Sequence, residues 1–193
     1  SYVLDLRNAV LECSSLRARK LADDTRILCA SPGYIEEYGG LGDLDDLKSH
    51  RVIAFRNLEP HLLISKDGKR AELDPKQSAH RLVLNDGLTQ KRATLDGAGI
   101  SVNSLWLVHE EIKSGALMHV LPDYALAEQP ALWLIYPKSN VVSAKVRVFM
   151  DFLIEQLGKA PVWVDGRTAV LRGWCSIGQS GLILLKNSCL IDA

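Results

Sequence analysis

From Asn85 to Tyr124 the spacing of apolar and polar positions switches repeatedly, and each switch predicts an element. Asn85 and Asp86 are side chains that cap a helix start, and Leu88, Ala93, Leu95 and Ala98 then recur at helical spacing from about Gly87. Gly97 and Gly99 supply the permissive backbone that ends that helix. Ile100 to Val102 is too short for a helix and suits a strand buried on both faces. From Ser104, the apolar residues Leu105, Leu107, Val108 and Ile112 interleave with Glu110, Glu111 and Lys113, which predicts an amphipathic helix closed by Ser114-Gly115. Leu117 to Leu121 reads as a strand ended by Pro122-Asp123. The whole stretch is one α/β unit.

The same reading extends to both sides. Tyr2 to Asn8 is a strand, apolar except at Asp5, and Val10 to Asp24 is a connecting loop in which Leu16, Arg17, Ala18, Arg19 and Lys20 present a solvated basic face. Thr25 to Ala30 is a strand followed by Ser31-Pro32, an N-cap with proline at the first helical position. Tyr34, Ile35 and Tyr38 form the inner stripe of that helix, and Gly39-Gly40 stops it. Leu44 and Leu47 mark a short helix, Val52 to Phe55 a strand, Leu62 to Asp74 a hairpin turning at Asp67-Gly68, and Arg81 to Leu84 a further strand. Beyond Asp123 the chain crosses back. Ala131 to Tyr136 is an apolar strand, and Val141 to Leu157 an amphipathic helix with Val142, Val146, Phe149, Phe152, Leu153 and Leu157 inside. From Lys159 on, Trp163, Val170, Leu171, Trp174 and the run Leu182 to Leu185 make an apolar, glycine-punctuated tail that belongs to no element, either extra strands or a non-native extension.

Composition narrows the class. A chain of 193 residues, 47% hydrophobic and 24% charged, has enough apolar surface for one core or two small ones. Lysine and arginine number 23, equal to aspartate and glutamate at 23, so no basic tract suits a phosphate backbone. The four cysteines, Cys13, Cys29, Cys175 and Cys189, are widely spaced and form no zinc pattern, which fits reduced thiols in a cytoplasmic protein. The sequence opens on no secretory signal and holds no apolar run long enough to span a bilayer.

The order of motifs resembles the carboxy-terminal effector-binding domain of LysR-type transcriptional regulators. The residues that carry the resemblance are Asn85-Asp86-Gly87, the Gly97-Ala98-Gly99-Ile100 turn and strand, and the run from Glu110 through Gly115, Leu117, Val120, Leu121, Pro122 and Asp123 to Tyr124. Ser15 to Leu21, Ile27 to Tyr34 and Lys145 to Leu157 agree in the same order, so the resemblance runs from about Arg7 to Gly158. It implies an α/β fold of two Rossmann-like subdomains joined by two crossovers, periplasmic-binding-protein-like (type 2). Residues 1–24 and 129–158 would belong to subdomain I, residues 25–128 to subdomain II, and residues 159–193 form the unassigned tail. Subdomain I is then incomplete, with unpaired strand edges and an exposed apolar face that the tail or a second copy of the chain covers. Asp5, and Asn103-Ser104 where many members carry Leu-Pro, depart from the family pattern.

The resemblance further implies a small-molecule effector in the cleft between subdomains, a homo-oligomer, and DNA held only through an amino-terminal helix-turn-helix domain absent from this sequence. Arg7 and Asn8, at the end of the first strand, and Arg56 and Asn57, just past the Val52 strand, are the expected polar contacts, with Ser31 and Asn103 behind them. An arginine at a strand end suits a carboxylate through paired hydrogen bonds, a surface arginine being the plain alternative. Ser31 would offer the free N–H groups of its helix, and Asn103-Ser104 is read first as a cap of the following helix. A solute-binding protein and an enzyme share this fold. No enzyme chemistry shows, however: His50, His61, His80, His109 and His119 are scattered, Ser180 lies in no nucleophile elbow, and Gly97-Ala98-Gly99 lacks the third glycine of a dinucleotide fingerprint. No cofactor, metal site or membrane contact is expected.

Overall fold

A computed structural model describes residues 5–9, 16–78, 81–127, 130–137, 144–157, 161 and 163. Tyr2, the Val10 to Ser15 segment, His80, Lys138 to Ser143 and the tail beyond Trp163 lie outside the described residues. The chain divides into two compact units, Ser1–Asp24 with Pro130–Ala193, and Thr25–Gln129.

The first unit opens with β1 (Asp5–Ala9) and β2 (Leu16–Asp23). The basic stretch expected as a loop is an eight-residue strand paired with β11: Arg17 and Arg19 are exposed, and Leu21 and Ala22 are buried where the register shifts opposite Leu132 and Trp133. The second unit runs β3 (Arg26–Ala30), α1 (Pro32–Tyr38), a 3-10 turn Asp45–Lys48, β4 (Val52–Phe55), β5 (His61–Ser65), β6 (Arg70–Leu73), β7 (Arg81–Leu84), α2 (Gly87–Leu95), β8 (Ile100–Ser104), α3 (Leu105–Ser114), β9 (Met118–His119) and β10 (Tyr124–Leu126). The chain returns to the first unit through β11 (Ala131–Pro137) and α4 (Ala144–Leu157).

In the first unit β11 lies between β1 and β2, antiparallel to both, and Asp24 N–H donates to Pro130 O at 3.0 Å where the two crossing segments meet. Met150 is the buried residue of α4, whereas Phe149 and Phe152, expected inside, are 50% and 53% exposed beside Val148 at 69%. Their exposure, with Leu6 on β1 at 53%, follows from a described sheet of three strands, too narrow to cover a helix apolar on most sides.

The second unit is built on a five-stranded sheet in the order β7-β4-β8-β3-β9, with β4 parallel to β7 and β8 and β3 antiparallel to β8 and β9. One face carries the apolar core, centred on Leu28, Ala30, Tyr34, Val52 and Ile100, and joined by Leu63, Leu73 and Leu126 from the small sheet β10-β5-β6. Strand β10 is an element the sequence did not announce; Tyr124 to Leu126 pairs with Leu63 to Ser65. The Leu117 to Leu121 stretch pairs as a strand only at Met118–His119, although Leu117, Val120 and Leu121 are buried. Tyr34 ties α1 to the start of β4: its hydroxyl accepts from Arg51 N–H at 2.8 Å and lies 3.2 Å from His50 Nδ1. Gly99 lets β8 pass against that same point, since a Cβ there would sit 2.5 Å from the Arg51 carbonyl oxygen.

The other face takes α2 and α3, and here the predicted core is corrected. Leu88 is 69% exposed, and the buried residues of α2 are Gln90 and Thr94. Thr94 meets the Ser101 hydroxyl on β8 and Gln90 the Ile53 carbonyl on β4, so hydrogen bonds anchor the buried face of that helix.

Candidate functional site

The parallel strands β4, β7 and β8 end their carboxyl termini at one edge of the five-stranded sheet, which is where ligands of open α/β sheets bind. Phe55, Leu84 and Ser104 are the last residues of those strands. Just beyond Phe55, Arg56 and Asn57 form an exposed turn closed by Leu58 N–H donating to Phe55 O at 2.9 Å. Leu58 closes it in the left-handed region, φ 49°, which a leucine adopts at a cost of about 1–2 kcal/mol. Among the described residues, Arg56 and Asn57 have neither an ion pair nor a side-chain hydrogen bond. The guanidinium is therefore open to an anion.

The remaining expected contacts lie elsewhere. Ser31 follows the end of β3, which runs antiparallel to β8, so it lies at the opposite edge of the sheet from Arg56, roughly 16 Å along the strand direction. It is buried, and its hydroxyl accepts from Tyr34 N–H at 3.4 Å as the cap of α1. The structure does not bring Ser31 and Arg56 together. Arg7 and Asn8 stand on β1 of the other unit, opposite Trp133 and Leu132, and their side chains lie outside the described residues.

Asn103 is at the Arg56 end of the sheet but faces inward at 2% exposure. It does not cap α3, and Ser104 at the cap position makes no side-chain cap bond. The Asn103 amide instead donates to Ser101 Oγ at 2.6 Å and Cys29 Sγ at 3.3 Å. Ser101 Oγ is 2.6 Å from Thr94 Oγ1, Thr94 donates to Gln90 O at 2.7 Å, and Gln90 Nε2 donates to Ile53 O at 3.1 Å. This chain of bonds joins α2 to β3, β4 and β8. Burial pushes the Cys29 thiol up, more than the hydrogen bonds of Asn103 and Ser101 pull it down, so the sulfur stays protonated at neutral pH.

Phe55 and Leu58 were not singled out from the sequence. Nothing in a pattern distinguishes an outward aromatic at a strand end from the buried ones before it, since Val52, Ile53 and Ala54 are buried and Phe55 is 42% exposed. Among the described residues no cluster of histidine, cysteine or carboxylate side chains has the form of a metal site. No helix there is long and apolar enough to cross a membrane.

The parallel strands of this α/β sheet thus end in an exposed cationic turn, at the edge where ligands of such sheets bind. The chain belongs to the LysR substrate binding domain family, whose model matches residues 6–158. It is 37% identical over 155 residues to the HTH-type transcriptional regulator DmlR of Escherichia coli, covering 78% of this chain and 48% of that protein. Against the HTH-type transcriptional regulator PtxR of Pseudomonas aeruginosa the identity is 33% over 148 residues, covering 77% and 47%. The chain thus spans about half the length of the curated relatives it matches. Among solved structures, the regulatory domain of CrgA, a LysR-type transcriptional regulator from Neisseria meningitidis, superposes with TM-score 0.70 at 28% identity, covering 81% of this chain and 76% of that one. The regulatory domain of AphB from Vibrio vulnificus gives TM-score 0.66 at 26% identity, covering 80% and 75%. These neighbours are effector-binding domains of the periplasmic-binding-protein-like type 2 fold. The relatives are named as transcriptional regulators, which agrees with a regulatory domain in place of an enzyme.

Proposed function

We propose that this chain is the sensing part of a bacterial cytoplasmic regulator, that its effector is a small carboxylate, and that the effector's anionic group is held at Arg56 and Asn57. The observation that carries this reading is the strained turn after β4, which presents a guanidinium with no described partner at the carboxyl ends of three parallel strands. A charge left unpaired beside a backbone outlier is a good place for a ligand. Arg7 and Asn8 on β1 are further contributors in this reading. Ser31 and Asn103 act on the effector only indirectly, since the hydroxyl of one is spent on a helix cap and the side chain of the other is buried.

The output in the whole regulator is control of DNA binding by an attached helix-turn-helix domain, within a homo-oligomer. An effector changes that output only if it binds one arrangement of the regulator more tightly than another. Support for self-association comes from β7, whose outer edge is open among the described residues and whose Leu82 and Val83 are 41% and 40% exposed on opposite faces. Strands of parallel pairs are ordinarily covered on both faces.

A thermal-shift screen of the purified chain against carboxylates, amino acids, amines and neutral metabolites tests the sensing role. A native-state ligand at a hundredfold excess over its Kd stabilises by about 2.7 kcal/mol. The reading expects a carboxylate that raises Tm in the wild type and fails to do so in Arg56→Ala or Arg7→Ala. A cooperatively melting protein that no compound stabilises contradicts it.

A further inference from the structure

The turn after β4 has more chemistry than one cation. Phe55 presents 42% of its surface beside Arg56, although the three residues before it are buried. On β7, Leu84 is its parallel partner, so the two side chains share a face of the sheet. Leu58 completes the turn as a partly buried leucine where glycine or asparagine would be unstrained. Arg56 follows Phe55 directly, their Cα atoms about 3.8 Å apart, so one small molecule can reach both the cation and the exposed ring. Arg26, at the same edge of the sheet, already has an interaction of its own, and the Asp86 carboxylate is taken up by Thr89 N–H at 2.9 Å as the cap of α2.

The geometry points to an amphipathic monocarboxylate as the effector: an acid whose carboxylate pairs with Arg56 and whose aromatic or branched aliphatic body lies on Phe55 and Leu84. This rests on the reading of the chain as an effector-binding domain and adds the class of ligand. The carboxylate gains two parallel charge-assisted bonds from a guanidinium that has no competitor among the described residues. The body gains stacking and burial against the exposed ring. A short dicarboxylate or hydroxy acid gains less at this turn, because it has no apolar body to cover Phe55 and Leu84. Asn57 supplies an amide for the second carboxylate oxygen or for a ring substituent.

Calorimetric titration of the full chain with benzoate, phenylacetate and isovalerate, against succinate, malate and neutral benzamide, decides the matter. An acid of the first group is expected to bind at least about tenfold more tightly than succinate, malate or benzamide, one lost charge-assisted pair being worth that much. Arg56→Gln is expected to weaken that acid about tenfold or more, and Phe55→Ala about threefold to tenfold. Both residues are exposed, so a melting curve for each variant shows that the fold is retained. Tighter binding of succinate or malate, or an unchanged affinity in Phe55→Ala, overturns the ligand class while the effector-binding reading stands. Binding of an amine or a neutral metabolite in place of any acid overturns the class in the same way. If the folded chain binds nothing in the panel or in the wider screen, both readings fall.

Discussion

His119 shows how one residue's surroundings set its chemistry. It lies on the short β9, opposite Cys29, and burial holds its pKa down at about 4 instead of the usual 6.5. The unfolded chain therefore takes up a proton near pH 6.5 that the folded chain refuses until about pH 4. Stability from this residue is complete above pH 6.5, falls between pH 6.5 and 4, and is flat below that. The loss is at most roughly 3 kcal/mol, since a tenfold change in proton affinity corresponds to about 1.4 kcal/mol and the ring is only partly covered. Urea midpoints measured from pH 7.5 down to 4.5 are expected to fall less steeply in His119→Gln than in the wild type. Parallel curves for the two proteins would mean that the ring is solvated in the folded state. In the sequence His119 falls in a strand pattern that suggests a surface or a packing role; that it is kept neutral depends on its neighbours in space, which spacing does not reveal.

At the scale of elements, most boundaries were legible because local chemistry dictates them. Ser31-Pro32 starts α1, Asp86 caps α2 through Thr89 N–H, Gly115 ends α3 at φ 79°, and Gly68 turns the hairpin at φ 84°. What escaped was the face that α2 buries. Leu88 and Leu95 promised an apolar stripe, but Gln90 and Thr94, four residues apart, share the inner face, where Thr94 meets Ser101 on β8 and Gln90 the Ile53 carbonyl on β4. A polar pair at helical spacing reads as solvent-facing unless its partners, here on another element, are known. The same limit hid β10, which is a strand only because β5 lies beside it. The hydrogen-bonded row makes a quantitative claim. Thr94→Val and Ser101→Ala should each cost about 1 kcal/mol, because each removes a hydrogen bond from a buried network. The double variant should cost less than the two together by about 0.5 kcal/mol or more, since the second change removes a bond already broken. Urea unfolding of the four proteins gives the coupling, and strict additivity would show that the two hydroxyls act independently.

For the molecule as a whole, the unanswered surface is apolar, and it is found in both units. The first unit exposes Val148, Phe149 and Phe152 on α4, and the second exposes Leu82 and Val83 on β7 and Leu88 on α2. The two patches have different physical character. A helix face offers only side chains, whereas the outer edge of β7 also offers backbone N–H and C=O groups, with no proline or bulge within Arg81–Leu84 to discourage pairing. A second copy therefore gains both hydrogen bonds and apolar burial at β7, and we expect self-association to run through that edge. Light scattering behind size exclusion at micromolar concentration should give a mass above that of one chain for the wild type. Val83→Lys combined with Leu88→Glu should return it to one chain while Tm moves little, since exposed substitutions cost within about 0.5 kcal/mol. Phe152→Lys, placed on the α4 patch, should leave the mass unchanged. If Phe152→Lys breaks the assembly and the β7 pair does not, self-association runs through α4 in place of the sheet edge, and a wild-type chain that is monomeric throughout removes the oligomer from the proposed function altogether.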